Sequence, residues 1–301
     1  MRELDGRNAF ITGGASGIGL AMADAFLARG MKVVIADRNA GELERARVRL
    51  GNERLHCVVV DVTDRVALAR AADEAEQVFG PVHLLCNNAG VSGPVAIEDA
   101  GFADWDWMLG INLGGVINGI VTFLPRMRAH AAGGHIVNTA SMAGILPVGG
   151  VGGLYTTGKF AVVGLSEALR LSLATEGIGV SVLCPGLTRT NLIESGKTRP
   201  GFQEQPVAEL DRGFLEAWEG GMEPAAVAEC VVAGILANAA YVLPHAEFRE
   251  EVAELFRGIL AAFPTTQAID PRRLAFEHGR RRATEQARAA ADKLGAPSTA
   301  A

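Results

Sequence analysis

Tyr155 and Lys159 stand four positions apart in a stretch of helical periodicity, so one face would carry a phenol and an ammonium a single turn apart. A free phenol ionises near pH ~10, too high to accept a proton near neutrality. A neighbouring cation stabilises the phenolate and draws that value toward the working pH. The spacing therefore predicts Tyr155 as proton donor or acceptor, with Lys159 tuning it. Ser141 lies just beyond an apolar run, and glycines at 144, 149, 150, 152 and 153 fill the connector to Tyr155. A connector of that kind can fold back and bring hydroxyl and phenol onto one substrate oxygen.

A second set of residues suits phosphate rather than proton chemistry. Thr12-Gly13-Gly14-Ala15-Ser16-Gly17-Ile18-Gly19 joins an apolar run to a helical stretch. Glycines permit the unusual φ of such a turn and let the backbone touch a pyrophosphate, while the helix start offers free N–H groups. Asp37 ends the next apolar run, where a carboxylate accepts hydrogen bonds from the ribose hydroxyls of NAD and repels a 2′-phosphate. Arg38 beside it could pair with that phosphate, so NAD is favoured and NADP stays open. Asp61 ends the third run, where with Val62 it could contact adenine. Asn87-Asn88-Ala89-Gly90 ends the fourth; Asn87 could contact cofactor or close the turn.

The elements that must position these groups alternate regularly. Strands are expected at Asn8–Thr12, Lys32–Ala36, Leu55–Val60, Val82–Cys86, Gly134–Ala140, Gly179–Cys184 and Tyr241–Leu243. Helices are expected at Gly17–Arg29, Gly41–Leu50, Asp64–Phe79, Phe102–Ala129, Tyr155–Glu176 and from Pro224 to Ala239. The strands are apolar throughout, as in a parallel sheet covered on both faces. The fold class is α/β: one doubly wound, seven-stranded parallel sheet in a catalytic domain spanning 1–245. Residues 187–222 break the rhythm with Gly, Pro and scattered aromatics (Phe202, Phe214, Trp218), as a substrate-covering segment would. Two amphipathic helices, Phe248–Ala262 and Arg272–Lys293, make 246–301 a C-terminal extension of the same domain.

Bulk properties narrow the classes. At 301 residues with 49% hydrophobic residues, the chain can bury one large core. Its formal net charge of −6 disfavours nucleic acid and anionic membrane as partners. No apolar run approaches the ~18 residues of a membrane span. Cysteines 57, 86, 184 and 230 lack CxxC spacing, and read as buried free thiols in a reducing, cytoplasmic compartment. The six histidines show no ligand spacing, so no metal is expected, and Arg280-Arg281-Arg282 reads as a solvated helix face. Trp105 and Trp107 read as core or interface residues.

Thr12-Gly13-xxx-Gly17-Ile18-Gly19, Asp61, Asn87-Asn88-Ala89-Gly90, Asn112, Ser141, Tyr155-xxx-Lys159 and Pro185-Gly186 together resemble the short-chain dehydrogenase/reductase family, across about residues 5–245. The resemblance implies interconversion of a secondary alcohol and a ketone on NAD or NADP. It implies that Ser141 bonds the substrate oxygen, Tyr155 passes the proton, and Lys159 lowers the Tyr155 pKa and bonds the nicotinamide ribose. Asn112 would bind a relay water, although an asparagine in a helix is by itself more often a polar surface residue. Thr188, after Pro185-Gly186-Leu187, would bond the carboxamide. A homodimer or homotetramer through helices 102–129 and 155–176 is also implied. The Ser141–Tyr155 connector is about one residue longer than is common in the family, which leaves the pocket shape open. Ile111–Gly119 and Tyr241–Pro244 resemble bacterial members with extended C-termini, some of which oxidise bulky benzylic alcohols. Two other readings remain: a sugar-nucleotide epimerase or dehydratase, whose family resembles Gly-xx-Gly-xx-Gly instead, and a non-catalytic dinucleotide-binding regulator, which often lacks the tyrosine or lysine.

Overall fold

Asn8–Thr12 (β1) is buried at every position, as a strand covered on both faces must be. The computed structural model describes residues 1–199, 220–266 and 268–295. β1 pairs in parallel with Lys32–Asp37 (β2) on one side and Leu84–Asn87 (β4) on the other. Leu55–Val59 (β3), Gly134–Thr139 (β5), Ile178–Leu183 (β6) and the two-residue Tyr241–Val242 (β7) complete a sheet of order β3-β2-β1-β4-β5-β6-β7. The order reverses between β1 and β4, so their carboxyl ends open a crevice where such sheets bind ligands.

Helices Gly17–Leu27 (α1), Ala40–Leu50 (α2), Arg65–Phe79 (α3), Phe102–Leu109 (α4), Gly115–His130 (α5), Gly153–Ser172 (α6) and Pro224–Ala237 (α7) cover the sheet. Two apolar clusters lie on its two faces. One joins Ile11, Phe26 and Val33 to Val227 and Ile235 of α7. The other joins Phe10, Leu68 and Leu85 to Phe123 and Met127 of α5. Each fully buried large side chain contributes about 1.5–3 kcal/mol. Local sequence sets the helix starts: Asn39 accepts from Gly41 and Glu42 N–H, and Asp64 from Val66 and Ala67 N–H.

Several expectations need correction. The long helix 102–129 is not continuous, because a π turn, Gly110–Gly114, separates α4 from α5. The extra residue aims Asn112 at the exit of β4, as π turns often do near functional sites. The combined stretch Phe102–His130 is also long and apolar enough to cross a membrane by length and composition, contrary to the reading of short runs. Here 44% of its most apolar window is buried, with Val116, Phe123 and Met127 in the core. The helix expected at 155–176 begins at Gly153 and ends at Ser172. Cys86 and Cys184 are buried, but Cys57 and Cys230 are only partly so.

The C-terminal helices Arg249–Ala261 (α8) and Pro271–Lys293 (α9) bury little: no residue of α8 is buried, and only Ala291 of α9. Phe248, Val252 and Leu255 rest against Met142, Leu146 and Cys184. At the far end of α9, buried Arg170 bonds the carbonyls of Val180 and Asn238 and reaches Asp292. The aromatics expected at 202, 214 and 218 lie outside the described residues.

Candidate active site

The turn after β1 has the backbone its glycines require. Gly13 and Gly17 have φ of 62° and 51°, a region other L-residues rarely occupy. A Cβ on Gly13 would fall 2.8 Å from Cα of Ala89, and one on Gly19 2.1 Å from the Gly13 carbonyl. Thr12 locks this turn to the exit of β4, its hydroxyl accepting from the N–H of Asn88 and Ala89 at 3.0 and 3.1 Å. Asn88 answers with its amide on the carbonyls of Thr12 and Gly13, both at 3.2 Å. Ser16 caps α1 through backbone alone, which leaves the first-turn N–H groups without a side-chain partner. Asp37 accepts from Ala15 N–H at 3.4 Å and Asn39 N–H at 3.0 Å, so its carboxylate is held over the same turn. Asp61 is steadied by the N–H and hydroxyl of Thr63.

A cleft of about 380 Å³ runs from here to the tyrosine. It brings together Gly13, Ser16, Gly17, Ile18, Asp37, Arg38, Asp61, Val62, Asn88, Ala89, Gly90, Tyr155, Lys159 and Pro185. Gly19, Asn112, Ser141, Gly186, Leu187 and Thr188 do not line it. Gly19 acts by being absent from the path of Gly13, and Asn87 bonds Asn138 between strands at 2.9 Å rather than facing the cleft.

At the chemical end, Ser141 leaves β5 in extended conformation; its hydroxyl accepts from Ala143 N–H at 3.1 Å and approaches the Pro185 carbonyl at 3.4 Å. Ser141 is near enough to Tyr155 for its hydroxyl to draw the phenol's pKa down, so the connector does fold back. Lys159 is buried, 5.3 Å from the centre of the Tyr155 ring, and donates to the Thr139 carbonyl at 3.0 Å. The expected depression of the Tyr155 pKa is not found. Burial pushes the phenol up to about 12, with only partial relief from Ser141. Burial likewise brings Lys159 down to about 8. Desolvation dominates the phenol, and the ammonium, turned onto the Thr139 carbonyl, is not among the groups that lower it.

Asn112 is no surface residue. It is fully buried, exchanging two 2.9 Å bonds with the backbone of Val91 and a third with Met108 Sδ. A Cβ at Gly90 would lie 2.9 Å from Asn112 Oδ1 and 3.3 Å from Lys159 Nζ, so glycine keeps the space between them open.

Residues 7–200 match the family model for short chain dehydrogenase. The chain belongs to the short-chain dehydrogenase family. It is 40% identical over 271 residues to C alpha-dehydrogenase of Sphingobium sp. (strain NBRC 103272 / SYK-6), covering 86% of this chain and 87% of that one. Among solved structures, one described as a short-chain dehydrogenase from Novosphingobium aromaticivorans shares 40% identity at a TM-score of 0.82, covering 95% of this chain and 99% of the other. A short-chain dehydrogenase/reductase from Burkholderia phymatum in complex with NAD shares 34% identity at a TM-score of 0.81, with 90% and 100% covered.

This short-chain dehydrogenase is thus an NAD(P)-dependent oxidoreductase acting on CH–OH donors. Its cleft also has a wall that sequence reasoning missed. Thr190, Asn191, Leu192, Glu194, Ser195 and Thr198, from the stretch after β6, line it. Ser195 accepts from Ser92 N–H at 2.8 Å, and Arg199 pairs with Asp104 at 2.6 Å, latching the segment across the exit of β4. Nothing in the periodicity of 187–222 signals these contacts, since both partners lie about a hundred residues upstream. Thr188 is buried and donates to the Gly186 carbonyl at 3.2 Å, so its hydroxyl serves its own turn rather than the cleft.

Proposed function

We propose that this short-chain dehydrogenase oxidises a bulky aromatic secondary alcohol, of benzylic type, to its ketone with NAD, and can run the reverse. The observation that carries the reading is the pairing of Tyr155 with Lys159, 5.3 Å from its ring centre, at one end of a cleft whose other end holds Asp37, with Ser141 behind the phenol. The residues present fit a dinucleotide. Gly13, Ser16, Gly17, Ile18 and Gly19 would hold the pyrophosphate, Asp37 and Arg38 would flank the adenine ribose, and Asp61 and Val62 would border the adenine. Asn88, Ala89 and Gly90 would line the middle, Lys159 would bond the nicotinamide ribose, and Pro185-Gly186-Leu187-Thr188 would border the carboxamide. When bound, NAD supplies the hydride acceptor.

The chain's own groups handle the rest. Ser141 donates to the substrate oxygen and holds it against the phenol. Tyr155 takes the hydroxyl proton; a phenol raised by burial needs a cationic neighbour to do so, and a charged Lys159 turned from Thr139 toward the cleft supplies one. The space beside Gly90 gives room for a relay water between Asn112 and Lys159. Apolar walls lie against Tyr155, formed by Val91, Met108, Trp105, Trp107 and Leu154. Those walls favour a large aromatic substrate, as does identity with a protein named C alpha-dehydrogenase. Exposed Phe102, Ile117, Val121 and Phe160 support a homodimer or homotetramer through α4–α5 and α6. Free thiols fit a reducing, cytoplasmic setting.

Absorbance of the reduced cofactor, followed with a panel of 1-aryl and aliphatic secondary alcohols, tests the reading. Aryl alcohols with NAD should turn over fastest, and Asp37→Ala should raise relative use of NADP on the order of tenfold by removing a like charge. No turnover of any secondary alcohol, or equal use of both cofactors by the wild type, would count against it.

A further inference from the structure

We infer that His245 is a positioning residue for the nicotinamide end of the cofactor, acting through the turn Pro185–Thr188. The inference rests on the proposed reading of that turn as the carboxamide holder. His245 is 95% buried, being 5% exposed, just where the chain leaves β7 for the C-terminal extension. Its Nδ1 accepts from the N–H of Gly186 at 3.0 Å, and its Nε2 lies 3.0 Å from the carbonyl of Leu187. Because the Gly186 N–H must donate, Nδ1 must accept, so Nε2 carries the hydrogen and donates to Leu187. One ring thus bridges two peptide units of the turn, Pro185–Gly186 and Leu187–Thr188.

The carbonyls of the turn have other partners as well. The Pro185 carbonyl accepts from Met142 N–H at 2.9 Å and faces the Ser141 hydroxyl. The Gly186 carbonyl accepts from Thr188, and the Leu187 carbonyl also accepts from Met222 N–H. Among these partners only His245 comes from beyond the sheet's last strand. Its ring lies 6.3 Å from that of Phe248, edge to face. A Cβ on Gly186 would sit 2.5 Å from Phe248 and 3.0 Å from His245, so glycine is needed there to admit the two rings. Phe248 in turn packs with Val252 and Leu255 over Met142. The histidine therefore fixes the turn next to Pro185, which lines the cleft, and couples it to the extension.

Calorimetric titration of the full chain with NAD and with ADP-ribose, which lacks the nicotinamide, tests this. The wild type should bind both. His245→Phe keeps the ring and removes both bonds; it should weaken NAD on the order of tenfold and leave ADP-ribose within about twofold. His245→Gln, whose amide offers an acceptor and a donor at similar separation, should restore most of the loss. Unchanged NAD affinity in His245→Phe, or equal weakening of both ligands, would overturn the proposal, the second because it marks general loosening. Should His245→Phe not fold, His245→Asn keeps only the Gly186 acceptor and should bind NAD, but not ADP-ribose, more weakly than His245→Gln; equal NAD affinities would again overturn it. A wild type that binds neither ligand would remove the dinucleotide reading itself, an outcome distinct from failure of the variants.

Discussion

The half-buried phenol of Tyr155 and the buried ammonium of Lys159 meet the same obstacle: burial disfavours the charged form of each. The phenol rises to about 12 and the lysine falls to about 8. Alcohol oxidation requires the phenolate beside a charged Lys159, so its rate should climb as pH rises from 7 and level off above about 8 as the lysine loses its charge. Ketone reduction, which needs the neutral phenol, should not fall for want of it until pH nears about 12. Lys159→Met should move the rising limb to higher pH, and Tyr155→Phe should lower turnover by about 10²-fold or more with NAD binding retained. Both are read from initial rates across a pH series, and a rising limb unmoved in Lys159→Met would remove the lysine from proton transfer.

At the scale of elements, the strand-to-helix turn after β1 works because two backbones approach more closely than a side chain would allow. Gly19 shows this most sharply, with the Gly13 carbonyl 2.1 Å from where a Cβ would stand. That obstacle is backbone and cannot rotate away. Gly19→Ala should cost about 1–3 kcal/mol in folding stability, as overpacking does, and largely abolish dinucleotide binding. Gly164, exposed in α6 with nothing within 4 Å, is the control. Gly164→Ala should stabilise by about 0.5–1 kcal/mol, because alanine loses less backbone freedom in a helix. Denaturant titration of the two variants should give opposite signs.

Over the whole molecule, the C-terminal extension is attached at its two ends rather than along its length. Near its start, Phe248 and His245 sit over the turn after β6; at its end, Arg170 ties Asn238 and Asp292 together. Arg170 is buried while Asp292 is exposed, so the ion pair adds little; Arg170 fixes Asn238, whose amide donates to the Ala291 carbonyl at 2.7 Å and carries most of the attachment. Arg170→Met should cost about 3 kcal/mol through the acceptors left unmatched. Asp292→Asn should change stability by less than about 0.5 kcal/mol. Thermal unfolding of both variants checks the ranking.

The chain's local chemistry was enough to determine the parallel sheet, the glycine turn and the candidate Tyr155–Lys159–Ser141 group. Those features are written in short-range patterns: apolar runs of strand length, glycines at a strand end, and a spacing of one helical turn. Only the folded molecule decided that Asn112 is buried against Val91, because a π turn rotates it inward and no periodicity announces one. The same holds for Ser195 on Ser92 and for His245 on Gly186, contacts between residues far apart in the chain. The direction of the Tyr155 shift also depended on the tertiary structure, since spacing specifies which charges are neighbours but burial determines how much water is left to stabilise them.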